Sequence, residues 1–292
     1  NTDGLPQRFT NIESNYANSN RVASIKWQYK LHDEEQSLVK QMGVKHKEGP
    51  PDFLLWGDSH AMVISAKLEE IATQSGLSGY AALRNGTLPL LNVATHKDKA
   101  DRLQWNKDII TWIESQKPRN VILCARWSAS IDGRPSGKMD TLVSDSNIYS
   151  TKNASECVTN SLQSINDFCV QQNIKLYICT EVPIQTKTPS QRMLLHKLFN
   201  AGLTRGVHES HHQKHQTNFN TVIKNSKIPD SSIVHLSSFC FDLENNSIVG
   251  ENTTSYYFDD DHLNQNGVDT LLEEPLKLIF QKMKNSSNLN MS

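Results

Sequence analysis

The sequence predicts an α/β fold. It is a three-layer sandwich around a mainly parallel, five-stranded, flavodoxin-like sheet, preceded by a polar N-terminal extension. Three observations predict it. Short apolar runs bounded by Gly, Pro and polar residues recur along the chain, which suits strands buried on both faces. Stretches with apolar residues at helical spacing separate them, the alternation of a sheet covered by helices. The chain has 292 residues, of which 37% are apolar and 21% charged, enough for a sizeable core and unlike a disordered chain.

The elements follow in order. Residues 1–50 are polar, with weak alternation only over Val22–Leu31, and are read as an extension packed on the main domain. Phe53-Leu54-Leu55-Trp56, closed by Gly57, is the first strand; Gly57 is expected to let the chain turn sharply. Ala61–Thr73 carries Val63, Ile64, Leu68 and Ile71 at helical spacing. Gly79–Leu83 is the second strand and Lys99–Ser115 the second helix. Val121–Ala125, introduced by Pro118, is the third strand. Residues 136–152 are rich in Ser, Asp and Gly and read as a loop. Cys157–Gln172 is a helix and Lys175–Thr180 a strand, followed by a loop bracketed by Pro183 and Pro189. Arg192–Leu203 and Glu209–Lys224 are helical, Ser232–Leu236 is the fifth strand, and Asn245-Asn246 marks a turn. The segment Tyr256 to His262 leads into a last helix over Gln265–Met283. The main domain is thus bounded at 51–284, and 285–292 is expected to be a frayed, disordered tail.

Composition excludes several classes. Lys+Arg is 30 against Asp+Glu 31, a net charge of −1, which argues against a nucleic-acid partner. No apolar run approaches the roughly 18–20 residues that span a bilayer. The start is polar and has no secretory signal, and a chain opening on Asn is expected to be processed or excised. Five cysteines, at 124, 157, 169, 179 and 240, form no CxxC; Cys124 and Cys179 lie in apolar runs as inert thiols, and one bridge among the others is compatible with an oxidising compartment. His208, His211, His212 and His215 share a predicted helix face. They are read as a solvated, pH-sensitive surface, and no metal is assigned.

In a parallel sheet, ligands bind beyond the carboxyl ends of the strands. There Gly57-Asp58-Ser59-His60 exposes Ser59 at a helix start, whose N–H groups suit an oxyanion; the plainer reading is a helix cap. At the far end, Asp259-x-x-His262 lets one turn bring a carboxylate to Nδ1 of His262, with Nε2 facing a nucleophile. The plainer reading there is an acidic turn. Position 61 is Ala, so this is not the G-x-S-x-G elbow.

Gly57-Asp58-Ser59 with a distant Asp259-x-x-His262 resembles the SGNH/GDSL hydrolase superfamily. More narrowly, Leu55-Trp56-Gly57-Asp58-Ser59-His60-Ala61 resembles the SGNH domains fused to bacterial acyltransferase-3 membrane proteins. Asn85-Gly86-Thr87-Leu88-Pro89-Leu90, Val121 to Ser128, and Gly4 to Phe9 resemble further blocks of that group. The resemblance implies the periplasmic portion of an inner-membrane O-acetyltransferase acting on an O-antigen-like surface polysaccharide. It implies a fused or adjacent transmembrane acyltransferase-3 partner and an acceptor glycan. It also implies no cofactor in this domain, with acetyl-CoA the ultimate donor through the membrane part. The excised domain is expected to be monomeric.

In that scheme Ser59 is the nucleophile, His262 the base and Asp259 its partner. The N–H groups of Ser59 and Gly86 form the oxyanion hole. The superfamily's third-block Asn is missing from Ala125-Arg126-Trp127-Ser128, so Asn85 or Arg126 is the candidate third donor. Arg126 alternatively meets a carboxylate or lines the acceptor groove. Trp127 stacks on a sugar or packs in the core, and Tyr256 and Tyr257 shape the cleft or pack a strand. Asp58 and His60 are assigned structural hydrogen bonds. Two alternatives stand beside the transferase: a stand-alone carbohydrate esterase of the same fold, and a non-catalytic glycan-binding domain.

Overall fold

The computed structural model describes residues 37–45, 47–95, 99–133, 142–143, 148–149, 151–199, 205–251 and 254–289. Most of the 1–50 extension and the last residues of the tail lie outside them. The central sheet contains β1 (Lys40–Gly43), β2 (Phe53–Gly57), β3 (Ser78–Leu83), β5 (Asn120–Cys124), β8 (Lys175–Cys179) and β9 (Ile233–Val234), in the order β1-β3-β2-β5-β8-β9. Five strands run parallel and β1 is antiparallel on β3. The sheet is therefore six-stranded, one more than the sequence predicts. Lys40–Gly43 is short and half-polar because it forms an edge, so no apolar run announces it.

Taken by themselves, the parallel strands have the order 2-1-3-4-5. The chain reverses direction across the sheet between β2 and β5, and the crevice at that point is where such folds bind ligands.

Each central strand is apolar on both faces because each face meets helices. In β2, Phe53 and Leu55 point into one core and Leu54 and Trp56 into the other; β5 divides as Ile122 and Cys124 against Val121 and Leu123. The first core is covered by α1 (Ser59–Gln74) and the C-terminal helix. The second is covered by α2 (Lys99–Gln116), α3 (Trp127–Ile131), α4 (Thr151–Gln171) and α6 (Glu209–Asn225). A further helix, α5 (Pro189–Phe199), follows β8.

Several boundaries differ from expectation. Within the expected 136–152 loop, β6 (Leu142–Val143) pairs with β4 (Ala94–Thr95) and β7 (Ile148–Tyr149) pairs with β6, all antiparallel. The fifth parallel strand keeps two residues and passes into a 3-10 turn, Leu236–Phe239. A hairpin of β10 (Gly250–Glu251) and β11 (Thr254–Ser255) precedes the final segment. The last helix is not continuous: Gln265–Gly267 leads into a π turn, Val268–Leu272, before α7 (Glu273–Leu289). Pro275 has no N–H for the Leu271 carbonyl, so the helical ladder lacks that bond just past the π turn.

All five cysteines are buried and free. Cys124 and Cys179 face each other in register across β5 and β8.

Candidate active site

The site begins with Gly57. Its φ is not in the left-handed region, so it is not the flexible turn that the sequence suggests. An added Cβ would lie 1.8 Å from the Cys124 carbonyl oxygen. Glycine is required because β2 and β5 approach closely at the switch point. Asp58 is the N-cap of α1: its Oδ1 accepts the His60 N–H at 2.8 Å and its Oδ2 the Arg126 N–H at 3.1 Å. One carboxylate thus fixes the turns after two neighbouring strands. Burial pushes this carboxyl up, against those two amide bonds. Ser59 is consequently the first helical residue rather than the cap, half-buried at the carboxyl end of β2. Among the described residues no acceptor takes its N–H, and the first amides of a helix have no intrahelical partner.

The second half comes from the loop between β11 and the last helix. Tyr257 pairs with Leu263, and the Phe258 N–H donates to the His262 carbonyl at 2.8 Å, closing a tight loop. At its tip, Asp259 Oδ1 accepts the N–H groups of Asp261 at 3.0 Å and His262 at 2.7 Å. His262 Nε2 lies 2.8 Å from Ser59 Oγ, and its Nδ1 lies 2.9 Å from Asp259 Oδ2. Residues 203 positions apart are thereby joined in one hydrogen-bonded line. Nδ1 also lies 2.8 Å from Asp261 Oδ1, whose other oxygen receives Arg126 Nη1 at 2.7 Å.

Burial lowers the His262 imidazole, but its hydrogen bonds to Asp259 and Asp261 and their charges push it up to about 10. Burial raises Asp261, yet His262, His60 and Arg126 together hold it well below the usual carboxylate range.

The other sequence candidates separate. Gly86 occupies a turn after β3 with φ +61, which glycine adopts at no steric cost. Arg102 Nη1 holds this turn through the carbonyls of Asn85 (3.1 Å) and Gly86 and the Thr87 hydroxyl (2.6 Å). Asn85 is exposed on it. Arg126 meets a carboxylate, one of the alternatives posed by the sequence.

Trp127 is not a sugar platform here. It is 1% exposed, its ring stacks on Phe219 at 5.5 Å, and its Nε1 donates to the Cys179 carbonyl at 3.0 Å. Tyr257 is likewise a core residue, fully buried, with its hydroxyl donating to the Pro183 carbonyl at 2.9 Å. Both were drawn inward by neighbours that a strand-by-strand reading does not see.

The four histidines do not form one solvated face. His208 caps α6, and His212 is buried against Phe241, where burial lowers it to about 4.

Sequence reasoning missed Glu181. It is buried after β8, accepts from Ser128 and from Gln216 Nε2 at 2.6 Å, and is pushed up by burial to about 7. With His60, Thr180, Asp261 and His262 it lines a cavity of ≈ 20 Å³ behind the imidazole, room for about one water. Thr180 also lines a polar cleft of ≈ 420 Å³ between α6 and the 235–245 segment, with Gln213, Asn220, His235, Asp242 and Asn245 on its walls.

A family model for the SGNH domain fused to AT3 domains matches residues 29–274. The chain belongs to this family. No curated protein is significantly similar to this SGNH domain. Among solved structures, it is similar to the lipopolysaccharide acetyltransferase periplasmic domain of Salmonella ser. Paratyphi A. The TM-score is 0.56 at 12% identity, covering 97% of this chain and 99% of that one. An acetyl xylan esterase, AlAXEase, matches at a TM-score of 0.37 and 13% identity, over 80% of this chain and 98% of that one. At this identity the likeness to the Salmonella domain concerns the fold. Among the described residues, no helix of the SGNH domain is long and apolar enough to cross a membrane.

Proposed function

We propose that this SGNH domain is the acyl-transferring part of an O-acetyltransferase. Ser59 takes an acetyl group and passes it to a sugar hydroxyl of a bacterial surface polysaccharide. The single observation that carries this reading is the line from Ser59 Oγ to His262 Nε2 at 2.8 Å, with a carboxylate 2.9 Å from Nδ1. His262 accepts the Ser59 proton as Oγ attacks the acetyl carbonyl. The carbonyl oxygen becomes an oxyanion facing the Ser59 N–H at the start of α1 and the Gly86 turn. Collapse expels the donor group, which takes the proton from His262, and leaves acetyl-Ser59. A sugar hydroxyl then gives its proton to His262 and attacks the ester, releasing Ser59. Water in place of the sugar gives hydrolysis, so an esterase shares the machine.

Family membership supports a fused AT3 membrane partner and a periplasmic location; in the proposed scheme that partner delivers the acetyl group, with acetyl-CoA the ultimate donor. The polar cleft beside Thr180 is the proposed acceptor subsite: its amides, carboxylate and imidazole suit sugar hydroxyls.

The test uses a chromogenic acetate ester and a fluorophosphonate probe. Wild type turns over the ester and is labelled at Ser59, and Ser59→Ala loses both while melting normally. Wild-type turnover in Ser59→Ala would overturn the proposal. His235→Ala is expected to raise KM for the acceptor and leave Ser59 labelling unchanged.

A further inference from the structure

The geometry points to Asp261 as a second positioning carboxylate for His262, with Arg126 as the counter-charge that offsets part of the pull of two carboxylates on one imidazole. This rests on the Ser59–His262 reading above.

The argument starts from a count of hydrogens. Imidazole Nδ1 offers one N–H. Two carboxylates lie within reach of it, Asp259 Oδ2 at 2.9 Å and Asp261 Oδ1 at 2.8 Å. They are not equivalent. Asp259 is 36% exposed at its side chain and its Oδ1 already accepts two loop amides, so it shapes the loop as well as facing the ring. Asp261 is 6% exposed, and its Oδ2 is held by Arg126 Nη1 at 2.7 Å. A charge pair this buried couples to its neighbour far more strongly than an exposed one.

Arg126 is itself fixed. Its side chain is 12% exposed, and its N–H donates to Asp58, which caps the nucleophile's helix. The turn after β5 therefore reports to both Ser59 and His262.

The charges around the ring explain why a cation belongs there. From α1 it is faced by Asp58 and by His60, whose ring centroid is 4.6 Å away. From the segment after β8 comes Glu181, and from its own loop Asp259 and Asp261, with the Asp260 carboxylate beside theirs. Arg126 is the fixed positive charge paired with this group. It offsets part of their pull; without it, two ionised carboxylates would favour the imidazolium further still, and an imidazolium cannot accept the serine proton.

The consequence is a pair of opposite effects. Asp261→Asn removes a negative charge and moves the acid limb of Ser59 labelling to lower pH. Arg126→Gln leaves Asp261 uncompensated and moves the limb to higher pH. An adjacent charge shifts a titration by roughly one to three pH units. The double variant follows Asp261→Asn, because Arg126 acts through that carboxylate. Because two carboxylates share the task, Asp259→Asn and Asp261→Asn singly slow labelling less than the double variant does. Loss of a sole triad carboxylate costs about 10⁴-fold.

The experiment measures fluorophosphonate labelling against pH and, on the same proteins, NMR titration of the His262 ring. Opposite shifts for Asp261→Asn and Arg126→Gln support the inference, and unmoved or same-direction limbs overturn it. Should a substitution melt the fold, Arg126→Lys retains the charge, and its acid limb must stay at the wild-type position. If wild type is not labelled at all, the nucleophile reading fails, and the NMR titration alone then decides whether Asp261 and Arg126 set His262.

Discussion

Gly57→Ala tests whether the switch point is built as described, independently of any substrate. The added Cβ would lie 1.8 Å from the Cys124 carbonyl oxygen and 2.7 Å from Ala61 Cβ. A tight carbon–oxygen contact is about 3.2 Å, so β2 and β5 must part by about 1.4 Å. Gly57 and Cys124 are register partners at the end of the parallel ladder. Separating them weakens one or two ladder bonds at about 1 kcal/mol each. Overpacking at a closed site adds about 1–3 kcal/mol. The expected loss is about 2–5 kcal/mol, a fall in Tm of roughly 4–20 °C for a domain of this size. Ser59 is two residues away, and an ångström of misplacement at a reacting group costs on the order of 10²-fold in rate. Thermal melting by circular dichroism and the rate of Ser59 labelling are the two assays. Ala61→Gly added to Gly57→Ala relieves the Ala61 contact but not the carbonyl, and is expected to rescue neither. A Gly57→Ala protein melting within a degree of wild type, or rescue by Ala61→Gly, would refute the close-approach argument.

Three further outcomes follow. Trp127→Ala should destabilise by about 3–5 kcal/mol as a large core deletion, while Trp127→Phe keeps KM for the acceptor unchanged; a raised KM in the Phe variant would restore a sugar-stacking role. Lys67 is 7% exposed and lies 3.1–3.3 Å from Glu70, Asp269 and Glu273, so Lys67→Met should lose about 1–2 kcal/mol in low salt. Part of that loss should return in high salt as the carboxylates' mutual repulsion is screened, which urea titrations at two ionic strengths would show. His262 ordinarily titrates at 6.5 and is raised to about 10 in the fold. Its contribution to stability is therefore full below 6.5 and is lost as pH rises through about 10. Melting curves of wild type against His262→Ala should converge across that window.

The placement of the site has a structural logic. Ser59 follows the first parallel strand and Arg126 the third, and these strands are neighbours where the winding reverses. The crevice is opened by topology, and the Asp259–His262 loop drops into it from the other end of the chain. Asp58 ties the two strand ends together, so Ser59 and the Arg126–Asp261 pair share one support.

The sequence by itself determined the parallel core, because strands buried on both faces must be apolar throughout and so stand out as uninterrupted runs. It also singled out Ser59, Asp259 and His262 as candidates, because chemistry at strand ends uses residue types and spacings that local turns can satisfy, and the fold brings these three side chains together. Only the tertiary structure decided the rest. The edge strand Lys40–Gly43 has one antiparallel partner and a half-polar pattern, so pairing across the sheet creates it. Gly57 is glycine because of a carbonyl on another strand. Trp127 and Tyr257 are core residues because Phe219, Cys179 and Pro183 meet them from distant segments. Arg126 belongs to Asp261 because two loops separated by 135 positions converge on the same imidazole. In each case the deciding partner is far away along the chain, and burial and charge pairing depend on who stands opposite, a property that local spacing does not carry.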